Sequence, residues 1–168
     1  QISPKRCPIC VNETNALLPV EEAVGKIRAA AEGKQNPDTV IIARTDATSM
    51  EEAIRRARLY KEAGADLVQP ISRAFKNKEE LAKFVREVGC PVSLVVVGWL
   101  ESLTESDIRD IGAKIVHFAL VSVTAAHRAI SQALQHVGQH RSTVGTSEMR
   151  TEHHKLVEFL GMPEIQRL

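Results

Sequence analysis

Four short apolar runs at nearly even spacing constrain this chain more than any other feature. They cover residues 39–43, 66–70, 91–97 and 114–120, and their starts lie 27, 25 and 23 residues apart. Each interval has room for one helix and two short loops, which is the length of a βα unit. The first three intervals end alike, in Gly64-Ala-Asp66, Gly89-Cys-Pro91 and Gly112-Ala-Lys114, so each helix closes on a glycine and the next strand follows at once.

The stretches between the runs carry helix signals. Ser49 with Glu52 predicts a capping box, Asn77 with Glu80 begins the next helix, and Thr104 with Asp107 begins a short one. Pro19 suits a first helical position, ahead of the stripe Val20, Ala23, Val24, Ile27 and Ala31. After the last run, Ala126, Ile130, Ala133, Leu134 and Val137 form another stripe. A polar loop is expected over 139–147, then a helix carrying Met149, Leu156, Val157 and Leu160. Strands without polar alternation, each followed by a helix, predict a parallel sheet covered on both faces. A four-stranded doubly wound sheet satisfies this, and so does part of a (β/α)8 barrel, which needs ~250 residues to close.

Composition excludes several classes. Among 168 residues, 22 Lys+Arg against 21 Asp+Glu leave a net charge of +1, with 4% aromatics. That charge and that aromatic content predict no nucleic-acid partner. The most apolar run, 92–100, falls far short of the ~18 residues of a membrane span, so no membrane partner is expected. Three cysteines are odd and sparse, which fits a reducing compartment, cytoplasm or mitochondrial matrix.

In parallel α/β folds, function gathers at the C-terminal ends of the strands. The first run leads into Arg44-Thr-Asp46. An arginine there can clamp a carboxylate or phosphate, with Asp46 orienting it or capping the next turn; a structural ion pair is the alternative. In Lys5-Arg6-Cys7-Pro8-Ile9-Cys10, two cations precede a cysteine and favour its thiolate. That suits an acid/base or nucleophilic Cys7, against an inert thiol, a redox pair with Cys10, or a metal site short of a fourth cysteine. His136 and His140 can share a helix face, although Gly138 weakens that helix. These two, with His153 and His154, read as surface residues; His117 and His127 read as satisfied core or rim groups.

The stretch from Ile41-Ile-Ala-Arg-Thr-Asp-Ala47 to Ala63-Gly-Ala-Asp66 resembles the isocitrate lyase/phosphoenolpyruvate mutase superfamily, nearest its methylisocitrate lyase-like branch. Lys5-Arg6-Cys7 is similar to that branch's active-site loop, and the helix from Pro19 and the ending 161–167 fit as well. The resemblance implies the C-terminal half of a (β/α)8 barrel of the phosphoenolpyruvate/pyruvate type. It divides the chain into an active-site loop (1–18), four βα units (19–138) and a C-terminal loop and helix (139–168). It implies a lyase that cleaves a carbon–carbon bond of a small 2-hydroxy acid such as 2-methylisocitrate. Mg2+ would stabilise an enolate, its ligands mostly upstream of Gln1. Cys7 would be the acid/base, Arg44 would bind the substrate carboxylate, Lys5 and Arg6 would add positive charge, and the protein would be a homo-oligomer, by family a tetramer.

The sequence also departs from that branch. Pro8-Ile9 replaces Gly-His in the loop, Ile71 replaces a glutamate, and Val95 or Val96 replaces an asparagine. Two further readings therefore stand beside the lyase. One is a related oxaloacetate decarboxylase, phosphonopyruvate hydrolase or phosphonomutase. The other is an inactive truncated paralogue acting only in association.

Overall fold

Local signals and helix–sheet packing together account for the elements of the computed structural model, which describes residues 2–3 and 16–165. Lys5, Arg6, Cys7 and Cys10 lie outside the described residues. Contacts divide the chain into two units, 1–119 and 120–168.

The first unit opens with β1 (Ile2–Ser3) paired antiparallel to β2 (Ala16–Leu17). There follow α1 (Val20–Glu32), β3 (Ile42–Thr45), α2 (Met50–Glu62), β4 (Leu67–Pro70), α3 (Lys78–Val88), β5 (Ser93–Val96), α4 (Glu105–Ile111) and β6 (Ile115–Phe118). Short 3-10 turns, Ser72–Ala74 and Gly98–Ser102, follow β4 and β5. β3 pairs parallel with β4, and β5 with β6. A parallel bridge from Val68 to Val92 joins the two pairs, so the strands lie in sequence order. These are the βα units that the spacing predicts.

The helices start largely where their caps say. Ser49 accepts from the Glu52 amide and Asn77 from the Glu80 amide. Thr104 and Asp107 form the full reciprocal box. The predicted box at Ser49 is only half made, because the Glu52 carboxylate turns to Arg55 and Arg56 (3.2 and 2.6 Å). Pro19 is the residue before α1 rather than its first, and its carbonyl accepts from Ala23.

The core lies between the helices and the sheet. Ala53, Ala57 and Tyr60 of α2 and Leu81, Phe84 and Val88 of α3 are buried with Val68, Val92 and Leu94. Small residues on α2 let that helix approach the strands, and Phe84 meets Phe75 edge-on at 5.1 Å. Burial of a Phe-sized side chain is worth about 1.5–3 kcal/mol.

The first strand corrects one expectation. It begins at Ile42 rather than residue 39, and its residues alternate: Ala43 and Thr45 are buried while Ile42 and Arg44 are exposed. Helices of this unit cover one face of β3, and the other carries the site. Leu120, expected to end the fourth strand, instead precedes the next helix with φ +65°. A single residue, Ala119, separates it from β6.

The second unit holds α5 (Val121–His140), a 3-10 turn (Ser147–Met149), α6 (His153–Phe159) and α7 (Met162–Ile165). α5 continues through Gly138, past the expected loop start; one glycine costs a 20-residue helix only about 1 kcal/mol. Met149 lies in the 3-10 turn, not in the final helix. His136 is more than a surface group: its Nε2 lies 2.6 Å from the Val144 carbonyl and its ring lies 4.4 Å from that of His140, tilted by 41°.

Candidate active site

Arg44 ends up at the site because of strand alternation. Its neighbours Ala43 and Thr45 face the helices, so the guanidinium projects from the opposite face near the C-terminal end of β3. Its Nε and Nη2 both donate to Asp46 Oδ1, at 2.9 and 2.8 Å. The Asp46 side chain is 9% exposed and that of Arg44 41%, so a sheltered carboxylate holds a partly exposed cation. Buried Thr45 shapes the turn, its hydroxyl accepting from the Ala47 amide at 3.3 Å. The Arg-Thr-Asp motif is thus one device: the aspartate orients, the threonine bends the chain, the arginine reaches out.

Arg44 lines a cavity of about 270 Å3 with Pro70, Ile71, Ser72, Arg73, Val95, Val97 and Gly98. These residues come from the ends of β3, β4 and β5 and from the two 3-10 turns. The turns are tied together by Trp99, whose indole N–H donates to the Ser72 carbonyl at 3.0 Å. Gly98 starts the second turn at φ +62°, a conformation that disfavours a side chain.

A polar row runs across the same sheet. The Gln69 amide donates to Ser93 Oγ at 3.0 Å, and Ser93 Oγ lies 2.9 Å from His117 Nε2. Gln69 is the register partner of Arg44, so four strands contribute polar groups side by side. The reading of His117 as a satisfied group fits this bond. Gln69 and Ser93 were not singled out from the sequence; a lone polar residue inside each apolar run was the available signal.

The arrangement can bind a small anion against an apolar wall. Among the described residues, the cavity lining holds no carboxylate, cysteine or histidine to move a proton. Nor do the described residues include a group of three His, Cys, Asp or Glu able to hold a metal ion. Asp46 is committed to Arg44, so these residues do not fit a Mg2+ site. No helix among them is long and apolar enough to cross a membrane. Away from the cavity, the strongest electrostatic effect is at Asp107. Hydrogen bonds from Lys78 and then Thr104 hold its carboxyl well below the usual range.

Known proteins with the same pattern fall into one group. The phosphoenolpyruvate phosphomutase family profile matches residues 8–138. A 2-methylisocitrate lyase from Shewanella oneidensis is 31% identical over 169 residues, covering 96% of this chain and 56% of that enzyme. The crystal structure of phosphoenolpyruvate phosphomutase from Streptomyces platensis subsp. rosaceus superimposes with a TM-score of 0.83 at 25% identity, over 94% of this chain and 56% of that one. Phosphonopyruvate hydrolase, solved in complex with oxalate and Mg2+, gives a TM-score of 0.80 at 28% identity over 92% of this chain and 56% of its own. The chain thus spans a little over half the length of the relatives it matches, and its βα units are part of a (β/α)8 barrel. The chain belongs to the phosphoenolpyruvate phosphomutase family, within the isocitrate lyase/phosphoenolpyruvate mutase superfamily and like its methylisocitrate lyases.

Proposed function

We propose that the protein containing this chain is a lyase cleaving a carbon–carbon bond of a small 2-hydroxy carboxylic acid of the 2-methylisocitrate kind. One observation carries the reading: Arg44, oriented by Asp46, lines a cavity at the C-terminal ends of three parallel strands. A guanidinium so placed can bind a substrate carboxylate through parallel hydrogen bonds. The 2-methylisocitrate lyase relative supports the choice of reaction.

Cys7 is the proposed acid/base, with Lys5 and Arg6 favouring its thiolate and adding positive charge around the substrate. Mg2+ is the proposed cofactor, held by groups other than those lining the cavity. The proposal extends to a homo-oligomer, a tetramer by family, in an intracellular compartment. A second reading, hydrolysis or rearrangement of a phosphonopyruvate-like acid, is favoured by the phosphonopyruvate hydrolase neighbour and by Ile71 and Val95 in the cavity wall.

The test sets 2-methylisocitrate, oxaloacetate and phosphonopyruvate side by side as substrates of the native protein. Turnover of the first, abolished in Cys7→Ser with an unchanged melting temperature, is the expected result. Near-normal turnover by Cys7→Ser would remove the cysteine from the mechanism, and turnover of phosphonopyruvate alone would favour the second reading.

A further inference from the structure

The second unit brings two imidazoles together on one turn of helix. α5 runs unbroken through Gly138 to His140, so His136 and His140, four residues apart, share a face. Their ring centres lie 4.4 Å apart. The neighbouring pair, His153 and His154, opens α6 at consecutive positions, which point to different sides of a helix. His154 is turned to Glu152, at 3.4 Å.

His136 is held as a metal ligand is held. A carbonyl oxygen only accepts, so the 2.6 Å contact with Val144 puts a hydrogen on Nε2 and leaves the lone pair of the neutral ring on Nδ1. Imidazoles that bind metals regularly donate their other N–H to a carbonyl or carboxylate, which fixes tautomer and ring orientation. The Val144 carbonyl is itself fixed by the loop that returns to α5. The Val144 amide donates to Ser142 Oγ at 3.1 Å, and the hydroxyl of Thr146, 1% exposed, donates to the Thr143 carbonyl at 2.8 Å. The position also favours a cation, because the last turn of α5 carries the negative end of the helix dipole.

Ring spacing narrows the choice of ion. Two imidazoles bound at ~2.0–2.1 Å and ~90° apart have ring centres about 4.5 Å apart, against about 5.1 Å at a tetrahedral angle. The observed 4.4 Å matches the right-angled arrangement of Ni2+ and Cu2+. Beside His136 lies a hollow of about 320 Å3 lined also by Gln132, Gln135, Gln139 and Met149, with no carboxylate among them for a hard cation such as Mg2+. We propose that His136, through Nδ1, and His140 form a two-imidazole site for a divalent late transition metal of the Ni2+ or Cu2+ kind, with water completing the coordination. The site shares no residue with the strand-end cavity and owes nothing to the lyase reading. Its ion bridges positions four apart and so clamps the last turn of α5.

Calorimetric titration of the native protein with Ni2+, in buffer containing excess Mg2+, tests this without relying on turnover. Ni2+ is expected to bind in spite of the Mg2+. His136→Gln and His140→Gln should each weaken it by about 10-fold or more, since loss of even a ligand's hydrogen-bonding partner costs ~10–100-fold in metal affinity. Electron paramagnetic resonance with Cu2+ as the probe supplies a signature: splitting from two imidazole nitrogens in the native protein and from one in either variant. His140→Gln leaves the His136–Val144 bond in place and should keep the native melting temperature, which separates lost binding from lost folding. His153→Gln should bind Ni2+ as the native protein does. No binding of Ni2+, displacement by Mg2+, or an affinity that survives either His136→Gln or His140→Gln would each overturn the proposal.

Discussion

The two ends of the sheet in the first unit are built from the same residue types and do opposite things. At the N-terminal ends of the strands, charges meet partners. Asp66 accepts the Ile41 amide at 2.8 Å and Lys34 at 3.1 Å, and Lys61 donates to the Gly89 carbonyl at 2.6 Å. At the C-terminal ends, Arg44 and Arg73 face a cavity. The glycines repeat the contrast. Gly64, at φ +101°, has Ala31 Cβ 2.7 Å from where its own Cβ would lie, whereas Gly98, at φ +62°, has nothing within 4 Å. One end is closed by packing and pairing. The other spends the same backbone conformations on keeping space open, as expected where loops build a site on a rigid scaffold.

Gly64→Ala should break the closed end most severely. It combines a left-handed backbone penalty with a rigid methyl–methyl overlap, together about 2–5 kcal/mol, read as a loss of denaturation midpoint. Arg44→Gln tests the open end. Turnover should fall about 100-fold or more as a charge-assisted carboxylate contact is lost, with a stability loss of only about 1–3 kcal/mol from the sheltered Asp46 carboxylate left without its cation. A large loss of stability instead would make the Arg44–Asp46 pair structural. Gly98→Ala sharpens the contrast between the glycines, since it meets the backbone penalty without the overlap. It should cost only about 1–2 kcal/mol in the same denaturation assay.

The smallest effect concerns acid. The Ile41 amide and then Lys34 hold the Asp66 carboxyl below its usual 3.8. Its contribution is therefore fully present above that value and is lost as pH falls below it, through the lower folded-state pKa. Asp66→Asn should lower the melting temperature at pH 6 more than at pH 3. A difference independent of pH would mean that the carboxylate's charge does not matter at that end.

Much of this was legible in the residues. Thr104 and Asp107 announced a helix start that forms as read, and Gly64, Gly89 and Gly112 marked the helix-to-strand junctions. Arg44 was legible as a candidate, because a cation at the end of an apolar run has few structural uses, and the structure places it in the lining of a cavity. Ser49 shows the limit: its partner Glu52 had two arginines within helical reach, and these took the carboxylate. Gln69, Ser93 and His117 lie 24 residues apart in the chain, so only strand pairing reveals one hydrogen-bonded row.

The sequence by itself determined the order and type of the elements, since apolar period, caps and glycine stops act over a few residues. Tertiary structure decided which face of each strand is covered, which charges are paired and where space remains. Those outcomes depend on groups tens of residues apart competing for the same neighbour. No local pattern records who wins that competition.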